Sequence, residues 1–440
     1  MKKKLLIVAL MITTAFVLAG CSRQSPLIIW VGTEVQEFYQ EQMDRYIVLY
    51  EERHGEAFPY TIEVRAADTG TAAGTFLDDM DAGPDILTVA HDNLGRLLAG
   101  AGAIRPIQNP ALIAQIENDN SEAFNSVIRA TVQGTEYIFG VPYEAQSLIL
   151  YYNTKFLSPS DIETWEGILA VAEANNKRSL SLTGTDGFNN SFLVLATNAD
   201  TKEPIVQLYE NGVLENTQFI TDGMVSVLRW GQDFFTHPNG ARQASDGGWS
   251  SDLDTESSLT VIGGAWHFRA AQAALGNNLG VAKLPRFTIT EAHAHGDFPA
   301  GTIMQSGSFT DTKMFVMNRS SDKIEYLEDI LLFLSSKEMQ QASFLANSTL
   351  PAYKNALAEF EGMTGDGIQA RLTLSQIEMF QHGIPQPFGR EARFNVFYYQ
   401  RQAPDRILEI LRNTTNEFNT LDSILTEMEA IERIWLGFRD

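Results

Sequence analysis

Carboxylates, amides and large aromatic side chains stand at the ends of apolar runs throughout this chain. Ile86 to Ala90 is a short apolar run, and His91, Asp92 and Asn93 follow it directly. Leu27 to Val31 is another, with Glu34 just past its exit. Leu259 to Ile262 leads through Gly263-Gly264-Ala265 to Trp266. Leu180 to Leu182 leads into a polar loop that holds Asp186 and Phe188. Glu144 lies in a polar, proline-containing break between the apolar runs Ile138 to Val141 and Leu148 to Tyr152. Trp249 follows two glycines, and Phe397 sits in the aromatic run Phe394 to Tyr399. Such carboxylates and amides exchange hydrogen bonds with a ligand, while aromatic faces cover its apolar surface. Residues just beyond the carboxyl ends of strands are where open α/β sheets bind ligands. Asp92 or Asn93 could alternatively cap the helix that follows.

Bond-making chemistry has less support. No HExxH, nucleophile-elbow or P-loop pattern is present, so no motif points to a peptidase, esterase or NTPase. Two facing carboxylates would suffice for a glycosidase, which stays open on motif alone. His293-Ala294-His295 lacks a clear third ligand and is read as an exposed loop, with no metal. No cofactor is expected.

The elements that must hold these residues are legible. The start reads β-α-β-α-β: Leu27 to Val31, a helix from Val35 to His54, Thr61 to Val64, a helix running into Gly83, and Ile86 to Ala90. That order predicts a parallel doubly wound sheet. With 440 residues, 44% hydrophobic and 20% charged, the chain is long enough for two to three domain-sized units. A formal net charge of -23 argues against nucleic acid or an anionic lipid surface as partner. Lys2 to Lys4, the apolar run Leu5 to Leu18 and then Ala19-Gly20-Cys21 read as a secretory signal. Cys21 is the single cysteine, so no disulfide framework or cysteine metal site is expected.

Several stretches together resemble one family. They are Gly83-Pro84-Asp85-Ile86 with Ala90-His91-Asp92, Gly140-Val141-Pro142-Tyr143, and Leu150-Tyr151-Tyr152-Asn153. Thr164-Trp165-Glu166, Gly264-Ala265-Trp266, Gly280-Val281 with Leu284-Pro285, and Leu350-Pro351-Ala352 continue the series. In this order they resemble the bacterial extracellular solute-binding proteins of sugar ABC importers, the maltodextrin-binding type in particular. The resemblance runs from about Leu27 to the end. Thr154, inserted before Lys155, is a small departure. Leu18-Ala19-Gly20-Cys21 resembles the bacterial lipobox, in which cleavage precedes a lipidated cysteine.

The resemblance implies an α/β, two-lobe periplasmic-binding-protein-like fold of type II. Three hinge crossings are implied, near Gly140–Gln146, Ile303–Thr310 and Asn347–Ala352. The division is then a signal peptide over 1–20 and a lipidated Cys21 with tether over 21–26. Lobe 1 takes 27–141 and 304–347, and lobe 2 takes 142–303 and 348–440. Sugar binding is implied for Trp266 by stacking, and for Asp92 and Glu144 by hydrogen bonds to hydroxyls. Glu34, Asn93, Asp186, Phe188, Phe397 and Trp249 are further ligand candidates. Asn93 stands where the relatives carry Arg, and Val89 stands where they carry a stacking Trp. The implied partners are an oligosaccharide and membrane permease subunits. The implied form is an exported monomer, tethered by lipid on Cys21 to the outer face of the cytoplasmic membrane or placed in the periplasm or at the cell surface. A lipid-anchored carbohydrate-active enzyme or a receptor for a non-sugar solute are the alternatives.

Overall fold

The computed structural model describes residues 25–99, 102–120, 122–183, 188–207, 218–244, 248–347, 349–355, 367–386 and 403–439. Cys21 with the N-terminal apolar run, Asp186 and Phe397 lie outside the described residues.

The first lobe is built on the expected start. Leu27–Val31 pairs in parallel with Ile62–Ala66 on one side and Ile86–Ala90 on the other. Its alternating burial puts Leu27, Ile29 and Val31 inside. The helix Gln36–His54 lays Tyr39, Met43, Tyr46 and Tyr50 on the core, a spacing that keeps one helical face inward. The sheet is not purely parallel, however. Phe309–Asn318 runs antiparallel between Ile86–Ala90 and Gly140–Gln146. This strand arrives from the other lobe without a crossover helix, so the right-handed parallel connection does not apply to it. All ten of its residues are buried.

Asp85, in the turn before Ile86, knots this lobe. It accepts hydrogen bonds from the Ile28 N–H at 2.8 Å and the Ser321 hydroxyl at 2.6 Å. Lys323 Nζ lies 3.1 Å from the same carboxylate, and Asp85 and Lys323 are both buried. The first strand and the chain leaving the last long strand are thereby tied to one side chain.

The second lobe has its own core. Its five-stranded sheet has the order Ala241–Ala244, Arg178–Thr183, Ser258–Gly263, Ile149–Asn153 and Leu279–Ala282. Trp165 is fully buried there, between Phe192 and Phe234. Thr164 caps its helix by accepting from the Gly167 N–H at 3.1 Å, as its position before the helix predicts.

The lobes are joined at specific points. Gly140–Gln146 belongs to the first lobe's sheet and Ile149–Asn153 to the second's, so the first crossing is at Ser147 and Leu148. The expected interruption at Pro142 is instead one continuous strand with a bulge. Lys313 faces Glu144 while Met314 faces Pro142, which leaves Tyr143 as the extra residue. A bulge is where a strand tolerates the missing proline N–H. Ile303–Gln305 pairs within the second lobe and Phe309 starts the first lobe's long strand, so the second crossing is 306–308. Ser308 stitches the two crossings, accepting from the Leu148 N–H at 2.8 Å. Leu350–Pro351 pairs with the first lobe, and the later helix Ile368–Gln381 packs on the Leu279–Ala282 strand of the second.

Asp85→Ala should strand the buried Lys323 ammonium and cost about 3–5 kcal/mol in urea unfolding. A loss below about 1 kcal/mol would show that the knot is not a support of the first lobe.

Candidate functional site

A cleft of about 680 Å³ opens between the lobes. One wall is polar and comes from the strand ends of the first lobe. Glu34 sits in the tight turn Thr33–Val35 that follows the first strand. Its carboxylate folds back over Gly32, where a Cβ would stand 2.5 Å from Oε1, so any side chain at 32 would displace it. His91, Asp92 and Asn93 form the turn after Ile86–Ala90. Asn93 makes no side-chain cap on the short Leu94–Leu97 helix, so the capping alternative is not used there. Asp311 and Lys313 project from the long strand two residues apart, hence from one face. Gln146, Arg96, Gln386 and the turn 68–71 also line the cleft.

The opposite wall is aromatic and comes from the second lobe. Trp266 and Phe188 meet with ring centroids 5.8 Å apart and planes at 57°. Trp266 packs directly over Gly264, where a Cβ would fall 2.0 Å from the indole. The Tyr151 hydroxyl donates to the Gly264 carbonyl at 2.7 Å and fixes that turn.

Charge organises the polar wall. Lys313 Nζ lies 3.1 Å from Glu34 Oε1 and 3.5 Å from Glu144 Oε2. Lys313 and Glu144 are buried, at 4% and 2% exposure. Burial disfavours the ammonium, but the Glu144 and Glu34 carboxylates more than offset it and hold Lys313 above its usual value. Glu34 is likewise buried against its charge, yet Lys313 keeps it below the usual carboxylate range. Glu144, more deeply buried, is pushed up in spite of Lys313. The ammonium also lies 5.9 Å from the Trp266 ring centroid, so it reaches across to the aromatic wall.

A second group surrounds His91. Its Nδ1 is in close contact with Asp311 Oδ1, and its Nε2 donates to the Gln386 carbonyl at 3.0 Å. Burial opposes the imidazolium, but Asp311 raises His91 overall. Asp92 accepts from the Asn93 amide at 2.8 Å and the Gln386 amide at 3.1 Å. Burial first, and the Asp311 charge second, push Asp92 up to about 7.

Of the residues expected from sequence, Glu34, Asp92, Asn93, Phe188 and Trp266 line the cleft together. Glu144 sits behind Lys313 and lines a small adjoining cavity. Trp249 does not reach the cleft. It starts the helix Gly248–Asp254 and is buried at 5% exposure, its ring 4.5 Å from that of His267. An apolar face turned inward explains this placement better than a loop platform. Val89 is fully buried in the first core. His293 and His295 are not an exposed pair: His293 is buried and bonds Asp233 at 2.9 Å, and His295 lies 3.7 Å from Asp222. Among the described residues no cluster could hold a metal ion. Lys313, Asp311 and Gln386 were not expected. The available signal was a pair of charges at i and i+2, Asp311 and Lys313, leading into the apolar run Met314 to Met317.

The profile of a family described as bacterial extracellular solute-binding protein matches residues 46–368. A maltodextrin-binding protein from L. casei BL23, solved without ligand, is 19% identical with a TM-score of 0.68. The match covers 93% of this chain and 99% of that one. A structure with acarbose is 19% identical with a TM-score of 0.73, covering 94% and 98%. A cyclo/maltodextrin-binding protein complexed with maltotetraose is 19% identical with a TM-score of 0.65, covering 93% and 98%. Likeness at this identity is a likeness of fold. Curated proteins give no match.

The raised groups make stability depend on pH in one direction. Below its unfolded value, about 4, the Asp92 carboxyl holds a proton in both states. Between about 4 and about 7 only the folded state keeps it, so stability falls as pH rises through that window. His91, also raised, loses its contribution as pH climbs further, above about 6.5. The melting temperature should therefore drop from about pH 5 to about pH 8, and Asp92→Asn should flatten the drop. Parallel curves for the two proteins would show that Asp92 is ionised throughout.

Proposed function

The chain belongs to the bacterial extracellular solute-binding proteins, and we propose that this member binds an oligosaccharide of the maltodextrin type and delivers it to an ABC importer. The observation that carries the reading is the pairing of walls. The Trp266–Phe188 corner faces Glu34, Asp92, Asn93, Lys313 and Gln146 across one cleft. Pyranose rings present apolar C–H faces to aromatic rings and hydroxyls to carboxylates and amides. A hydroxyl left unpaired in such a cleft would cost affinity, so the polar wall sets which sugar is held. Acarbose and maltotetraose, present in structures of the same fold, suit a cleft of this kind.

Binding without turnover fits the family, which is described as solute-binding. Two separately cored lobes on short crossings allow hinge closure around the ligand. The closed form would dock on permease subunits. Among the described residues no helix is long and apolar enough to cross a membrane. Lipid on Cys21 would keep the exported receptor near its transporter as a tether, not a span.

The protein beginning at Ser22 should bind maltotetraose saturably in calorimetry, with no new products by chromatography. Trp266→Ala should weaken binding about tenfold or more while leaving the melting temperature nearly unchanged. Absence of heat with any mono- or oligosaccharide would overturn the sugar assignment, and appearance of shorter products would favour the enzyme.

A further inference from the structure

Beside the cleft, a cavity of about 20 Å³ sits where the two lobes touch. Glu34, Glu144, Asn347 and Thr349 line it from the first lobe, and Trp266 and Arg269 from the second. Asn347 ends the helix Lys337–Asn347, which packs on the Leu350–Pro351 edge of the first lobe's sheet. Arg269 lies in the helix Phe268–Leu275, just after Trp266. Three observations meet there. Arg269 Nη2 donates to Asn347 Oδ1 at 3.3 Å, a direct bond between lobes. Glu144 Oε2, a buried acceptor, has the Lys313 ammonium at 3.5 Å and no closer donor among the described residues. Asn347 Nδ2, a donor, is buried and makes no hydrogen bond among the described residues.

A buried acceptor and a buried donor on residues that line one small cavity are what a single water can join. The volume suits one molecule, since a water needs about 10–15 Å³ of free space. A buried Asn347 amide N–H without an acceptor is costly, and Glu144 Oε2 keeps a lone pair beyond its Lys313 contact, so the bridge is favoured. We propose that Arg269, Asn347 and one water bridging Asn347 to Glu144 form a latch that holds the lobes together beside Trp266. Arg269 is thus a positioning residue. It fixes the turn carrying Trp266 against the wall carrying Glu34 and Glu144. Its charge also favours the ionised Glu34, after Lys313 has done so against the effect of burial. The latch joins groups that the sugar does not have to touch, so it acts on the lobe equilibrium before any ligand arrives.

The inference deepens the receptor reading and rests on it only for the effect on affinity. Its first test needs no ligand. Small-angle scattering of the ligand-free protein is compared for wild type, Arg269→Ala, Asn347→Ala and the double variant. Each single change should enlarge the radius of gyration, and the double variant should be no larger than either single, because one latch is broken once. Arg269→Lys keeps the charge without the fork and should fall between. Melting temperatures check that each variant is folded, and Arg269→Lys replaces Arg269→Ala if the latter is not. An unchanged radius in all variants, or enlargements that add, would overturn the latch. In calorimetry with maltotetraose the single variants should bind about three- to tenfold more weakly. Failure of the wild type to bind maltotetraose would count against the sugar reading, while the scattering result still decides the latch.

Discussion

The cleft depends on one buried cation. Lys313 stands at 4% exposure with a carboxylate on each side, Glu34 at 3.1 Å and Glu144 at 3.5 Å. Removing water from an ammonium costs several kcal/mol, and removing either partner of a buried pair costs about 3–5 kcal/mol. Such a pair adds little net stability over an apolar replacement, but it does fix geometry. Here it holds Glu34, from the first strand's exit, and Glu144, from the bulged strand, at set positions on one wall. It also faces Trp266 on the other lobe. The polar wall is therefore preorganised, and a ligand need not order it on arrival.

The placement of Lys313 follows from the topology. Phe309–Asn318 is the strand that returns from the second lobe to the centre of the first lobe's sheet. Its first residues leave the second crossing at 306–308, and Asp311 and Lys313 come next on one face. Charges at the point of entry thus lie where the lobes face each other. Trp165, in the second lobe's core, donates to the Ser306 hydroxyl at 2.9 Å and anchors that crossing. A core tryptophan on one lobe, a crossing and the charged cleft are in this way consecutive links.

Much of this was legible in the sequence, for identifiable reasons. Strand ends carrying Glu34, Asp92 and Trp266 announce themselves because apolar runs stop abruptly at polar or glycine residues. The glycines before Trp266 mark a close approach that the structure explains, since the indole packs on Gly264. Asp85 stood out in its turn, though its role as the knot for Lys323 depends on a partner 238 residues away. What was not legible is long-range. From sequence alone the apolar run after Lys313 reads as a strand over Lys313 to Asn318. Pairing on both sides extends that strand back to Phe309 and puts both charges in the wall. Pro142 reads as a break because local sequence cannot show a bulge whose extra residue is defined only by the partner strand. Trp249 reads as a loop platform because two glycines precede it, yet tertiary packing draws it inward.

On the proposed reading, one ligand is held between an aromatic corner on one lobe and a charge-fixed wall on the other. A crystal structure of the protein grown with maltotetraose decides this. Expected are a sugar ring stacked on Trp266, hydroxyls within hydrogen-bond distance of Glu34 and Asp92, and Lys313 still bridging Glu34 and Glu144. Sugar bound elsewhere on the surface, or a Lys313 ammonium withdrawn from both carboxylates, would contradict it.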